Sequence, residues 1–167
     1  MSWHIGMLPP ETPDLGAIAH GPTVLARSPG LQVGLRTIIA YKGGLEIAVM
    51  VIATGAHADV AERQYMAPAE IDPVTGRPNP HPVLGVAFRF SAADDSTEQP
   101  LPRRSTAARS KPGVFRREFL YTTSELPSSN VVRYLVAWPQ VGLSPTTVEL
   151  TLPDPNDLRR HIIPMPN

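Results

Sequence analysis

The clearest pattern of apolar and polar positions runs across residues 31–54. Leu31, Val33, Leu35, Thr37, Ile39 and Tyr41 recur at every second position, with Gln32, Gly34, Arg36 and Lys42 in the opposite set. Leu45, Ile47, Val49 and Val51 then alternate with Glu46, Ala48, Met50 and Ile52. Alternation at period two turns one set toward a core and the other toward solvent or a second layer. Between the two runs lies Lys42-Gly43-Gly44, where glycine supplies the positive φ that a tight hairpin needs. Two long strands joined by a short turn are expected here, with the rest of the chain built around them.

Residues 1–22 have no clean period. They read as an extended arm over the body, with Trp3 as its anchor. Residues 23–27 form a short strand, turned by Ser28-Pro29-Gly30. Residues 56–66 have a helix-compatible composition, with a single turn begun by His57 or Asp59. Pro68, Pro73, Pro78, Pro80 and Pro82 leave no room for a regular element, so this stretch is a loop. Residues 83–91 return to alternation, with Leu84, Val86, Phe88 and Phe90 on the core side. Residues 92–113 start acidic and turn basic, with few apolar side chains, which describes a mobile loop.

The C-terminal half is more regular. Residues 114–123 place Phe115, Phe119 and Tyr121 against Arg116, Glu118 and Leu120. Residues 131–138 form a strand stopped by Pro139, and residues 140–145 a turn. Val148, Leu150 and Leu152 mark the inward face of a last strand. Residues 157–161 add one helical turn before a proline-rich tail. About seven strands with little helix predict an all-β fold, a two-sheet antiparallel β-sandwich of immunoglobulin-like architecture. A partly open barrel is the runner-up. The expected layout is an N-terminal arm over 1–22, a sandwich over 23–152 with irregular loops at 56–82 and 92–113, and a tail over 153–167.

Composition narrows the function classes. A chain of 167 residues suits one domain and buries roughly 70% of its unfolded surface. Formal net charge is zero, so no overall field recruits nucleic acid or anionic lipid. There is no cysteine, which excludes disulfides, thiolate nucleophiles and cysteine-ligated metals and is compatible with a reducing cytoplasm. The first residues lack a basic head followed by an apolar run, so no signal peptide is expected. Residues 47–53, the longest apolar stretch, are too short to span a bilayer. The 20 prolines favour short strands and ordered turns over a helical bundle.

Candidate chemistry is sparse. His4, His20, His57, His81 and His161 share no helical or strand spacing, and none stands in a nucleophile-elbow or zinc-helix context. No catalytic, cofactor-binding or metal-binding residue is assigned from these. Asp154-Pro155-Asn156-Asp157 is oxygen-rich but lacks calcium-loop spacing. Asn156 or Asp157 capping a terminal turn is the preferred reading. Gly43-Gly44 lacks the lysine and the strand-to-helix setting of a phosphate-binding loop. Residues 101–117 carry Arg103, Arg104, Arg109, Lys111, Arg116 and Arg117 and no acid. Such a run is a candidate contact for an anion or a partner. It lacks the interleaved aromatics of a single-strand stacking surface, Phe115 apart.

The order of motifs resembles a family of small, uncharacterised β-rich proteins frequent in actinobacterial genomes. The motifs concerned are Leu25-Ala26-Arg27-Ser28, then Tyr41 and Gly44-Leu45-Glu46-Ile47, then Trp138-Pro139, Gly142-Leu143 and Val148-Glu149-Leu150. The match covers residues 23–152 outside the two long loops. Where that family has aromatics and prolines, this chain reads Tyr121-Thr122-Thr123. The resemblance implies a sandwich and a non-secreted protein, and brings no activity or site residue.

The expected function is therefore a non-enzymatic binding or structural module in the cytoplasm. It takes a protein partner rather than nucleic acid or membrane, needs no cofactor, and is open to oligomerisation. A phage- or particle-derived accessory protein is one alternative, by fold-level analogy. A small enzyme with a site assembled from loops, around His57, Asp72 and His81, is the other.

Overall fold

The computed structural model describes residues 14–66, 88–93, 104–107 and 111–165. The chain is all-β in plan, with three antiparallel sheets and two α-helices among these residues. Its strands are β1 (Asp14–Leu15), β2 (Ala17–His20), β3 (Thr23–Ser28), β4 (Leu31–Tyr41), β5 (Gly44–Thr54) and β6 (Arg89–Ala92). They continue as β7 (Arg104–Ala107), β8 (Val114–Thr122), β9 (Val131–Trp138), β10 (Leu143–Thr151) and β11 (Ile163–Pro164). Helix α1 spans Ala56–Met66 and α2 spans Pro155–His161. None of the described helices is long and apolar enough to cross a membrane.

The larger sheet is centred on the β4–β5 hairpin. β8 and then β7 extend it on one side, while β2 and β3 lie successively along β4 on the other. The smaller sheet runs β10-β9-β6. The two meet through one core. Phe90 of β6 lies 4.8 Å from Tyr134 of β9 and 4.9 Å from Tyr121 of β8, ring centre to ring centre. Val132, Tyr134, Val136 and Trp138 form the inward set of β9 and are buried. This is the expected sandwich, because each half-apolar sheet buries its face only against the other.

The hairpin departs from simple alternation at one point. Leu35 pairs with Val49, but the next pair is Thr37 with Ala48, so Arg36 is an extra residue in β4. Such a β-bulge shifts the side-chain parity of the strand. The inward residues are Leu31, Val33 and Leu35, then Ile38 and Ala40. Thr37, Ile39 and Tyr41, expected on the core face, stand on the other one. β5 keeps its expected parity, with Leu45, Ile47, Val49, Val51 and Ala53 all buried.

Three further expectations change. First, residues 14–20 of the expected extended arm are paired strands: β1 pairs with β11, and β2 pairs with β4. The Asp14 carboxylate, nearly enclosed, lies 3.5 Å from Lys42 Nζ. The Trp3 anchor and the rest of 1–13 lie outside the described residues. Second, α1 runs for 11 residues where the sequence predicts no more than a single helical turn at the head of an irregular loop. It seats Ala58 and Ala61 in the core against β5 and β8. Third, the segment read as a mobile loop contains β7, paired with β8. The proline-rich stretch at 68–82 and the acidic half of that later segment lie outside the described residues.

The tail is also structured. Asp154, not Asn156 or Asp157, caps α2: its Oδ1 accepts from the Asn156 backbone N–H at 2.8 Å. Proline at the first helical position needs no such partner. Leu158 and Ile162 are buried at 2% and 5% exposure.

Candidate functional site

The basic run at 101–117 divides according to strand parity. Arg103 and Arg109 lie outside the described residues. Arg104 opens β7, opposite Leu120. Lys111 is exposed, and its carbonyl accepts from the Val114 N–H at 2.9 Å, closing the turn into β8. Arg116 faces outward opposite Ile52, and Arg117 pairs with Val51, whose side chain belongs to the core. Neighbouring residues of a strand point to opposite faces. Arg116 and Arg117 therefore cannot share one patch, although they are adjacent in sequence.

On the outer face Arg116 is already paired. Its Nη2 lies 3.3 Å from Glu118 Oε1, which also accepts from Arg36 Nη1 at 2.5 Å. Glu118 thus joins β4 to β8 across β5, over Met50. These groups are well exposed, at 53% for Arg36 and 36% for Glu118. Solvent screening limits such a pair to about 0–1 kcal/mol.

Arg117 has a different setting. Its guanidinium carbon stands 4.0 Å above the centre of the Tyr65 ring of α1. Tyr65 is wedged against Phe115, Phe119 and Trp138, with ring centres 5.6, 6.0 and 5.7 Å away. Arg117 Nε is buried and has no hydrogen-bond partner. Burial pushes the Tyr65 phenol well above the usual tyrosine range, and the nearby Arg117 cation offsets part of that rise. Trp138, also in this cluster, donates its Nε1–H to Gln64 Oε1 at 2.6 Å.

Each described histidine lies against a backbone carbonyl. The His57 ring lies with Nδ1 2.7 Å from the Val141 carbonyl, tying the start of α1 to the 3-10 turn at Pro139–Val141. Two glycine turns close over that ring. A Cβ on Gly30 would stand 2.5 Å from His57 Cδ2, and one on Gly142 3.2 Å from Cε1. His20 Nδ1 lies 2.7 Å from the Gly21 carbonyl, and His161 Nδ1 2.8 Å from that of Asp157. His4, Asp72 and His81 lie outside the described residues, so of the loop-assembled constellation only His57 is placed. Asp154 and Asp157 are engaged in α2, the latter with Arg160. Among the described residues no group of three or more His, Asp or Glu side chains could hold a metal.

Two features escaped sequence reasoning. Tyr65 lies in a stretch without strong period, and nothing in the sequence joins it to Arg117, 52 positions later. The other is a set of exposed aliphatic side chains near the terminal ribbon. Leu15 and Ile163 pair across β1 and β11 and are 54% and 57% exposed, with Met165 at 47% and Ile18 of β2 at 73%. They are scattered over both ends of the sequence, and only the pairing of the ribbon brings Leu15 beside Ile163.

Comparison with protein-family models, with curated proteins and with solved structures gives no match.

Proposed function

We propose that the chain is a non-enzymatic binding or structural module that engages a protein partner through the aliphatic surface of the β1–β11 ribbon and β2. The observation that carries this reading is the exposure of Leu15, Ile18 and Ile163 within these short elements, and of Met165 just beyond β11. Single exposed aliphatics are ordinary, but several gathered on one part of a surface mark an interaction site. The Leu15–Ile163 pair also sits on a ribbon fixed at both strands, so little order is lost when a partner covers it. A zero net charge suits such an apolar contact better than a nucleic-acid surface. A cytoplasmic setting, and membership of the actinobacterial family that the motif order resembles, belong to the same proposal.

The test compares the protein with a Leu15→Lys, Ile163→Lys variant in capture from the native host. Both positions are exposed, so the variant should keep its urea midpoint. Specific capture of a partner by the unaltered chain, lost in the variant, is the expected result. Identical capture by both would remove the ribbon from the binding surface.

A further inference from the structure

Arg117 occupies a position where a sandwich ordinarily places an apolar side chain. β8 sends Phe115, Arg117, Phe119 and Tyr121 to its inner face, and the three aromatics are buried. A cation brought that far in is normally matched by a carboxylate or by hydrogen-bond acceptors. Arg117 has neither. Its guanidinium is covered on one face by Tyr65 at 4.0 Å, and its Nε is buried without an acceptor. The two Nη nitrogens are not sequestered in this way, since the side chain is only half-buried.

A π-face attracts the positive charge but satisfies none of the N–H donors. The contact does fix where the guanidinium stands. Tyr65 itself is held by Phe115, Phe119 and Trp138, so that position is set by the core rather than by solvent. A planar guanidinium with its Nη edge open is the arrangement that receives two oxygens side by side. Arg116 and Arg36 on the outer face show the contrast: there both guanidinium groups already meet one carboxylate oxygen, Glu118 Oε1.

We infer that Arg117 is an oxyanion seat, taking a carboxylate or phosphate group of a ligand end-on through Nη1 and Nη2, with Tyr65 as its positioning residue. This rests on the reading of the chain as a binding module and names the chemical group bound. The site is separate from the aliphatic ribbon, so loss of one leaves the other to be judged by its own variant.

The experiment follows the Arg117 Nε–H resonance of the isotope-labelled full chain by NMR. Sodium acetate and sodium phosphate are titrated separately at an ionic strength held constant with chloride. The expected result is a saturable shift with one or both anions, at millimolar concentrations typical of a single small ion. Saturation by acetate alone assigns a carboxylate, and by phosphate alone a phosphate group. Arg117→Lys keeps the charge but not the planar fork. It should weaken the same anion about tenfold, followed through the Tyr65 ring resonances. No saturable shift with either anion in the unaltered protein would overturn the inference, and so would equal affinity in Arg117→Lys.

Discussion

At the scale of single residues, the core depends on a few side chains in which burial and geometry coincide. Trp138 is fully buried, meets Tyr65, Phe88 and Phe115 edge-on, and has its indole N–H satisfied by Gln64. Trp138→Ala should lower stability by about 3–5 kcal/mol, as truncation of a large buried aromatic does. Urea melts measure this directly, and a loss below about 1 kcal/mol would contradict the packing described. Gly44 poses a different constraint. Its φ is 136°, and a Cβ there would collide with the Thr123 carbonyl oxygen. The adjoining backbone is pinned, because Leu45 donates to Thr123 Oγ1 at 2.8 Å and Thr123 donates to the Leu45 carbonyl at 2.9 Å. Gly44→Val should therefore destabilise by at least about 1–2 kcal/mol, from strain added to steric conflict. Gly43→Val serves as the comparison, since Gly43 is not at positive φ. Equal melting of the two variants would refute the distinction.

At the scale of elements, strands with long apolar alternation were legible in the sequence. β5, β8 and β9 fall where their patterns place them, and Phe88 and Phe90 are buried as expected. What escaped was set by contacts remote in sequence. The bulge at Arg36 leaves no mark in β4, because Ile38 and Ile39 are equally apolar and either could face inward. β7 reads as a polar loop because an edge strand takes its order from the neighbour it pairs with. The terminal segment was legible in part. The helical turn expected over 157–161 is α2, but it starts two residues earlier from Asp154 and Pro155, carries Leu158 and Ile162 into the core and leads into β11. Ending the chain at Leu152 should therefore cost about 3–6 kcal/mol, from two lost aliphatic burials of about 1.5–3 kcal/mol each. It also leaves β1 without its partner strand. A shortened chain with an unchanged urea midpoint would show that 153–165 is dispensable. The candidate site followed the same rule. The basic run was visible as composition, but its division between two faces required the register of β8, and the stacking partner of Arg117 required the placement of α1.

At the scale of the whole molecule, the core is rich in phenols, and this sets its response to pH. Burial pushes Tyr65, Tyr121 and Tyr134 above the ordinary tyrosine value. Arg117 lowers Tyr65 somewhat, while Tyr65 adds to the rise at Tyr121. A phenol is neutral when protonated, so a raised folded-state value means the native protein holds the proton more tightly than the unfolded chain. Between the unfolded value, about 10, and the higher folded values, the native state binds more protons and stability falls as pH rises. The contribution is fully present below about pH 10 and is lost above it. Each phenol adds a slope of up to about 1.4 kcal/mol per pH unit in that window. Urea melts should therefore give a flat stability from neutrality to about pH 9, then a steep decline. Three of the four tyrosines should develop phenolate absorbance only as the protein unfolds. Tyr134→Phe should make the alkaline decline shallower by removing one titrating group whose shift comes from burial alone. If all four phenols instead ionised near their ordinary value while the fold persisted, the three rings would have to be open to water, and the aromatic interface between the two sheets could not have the packing that Phe90, Tyr121 and Tyr134 display.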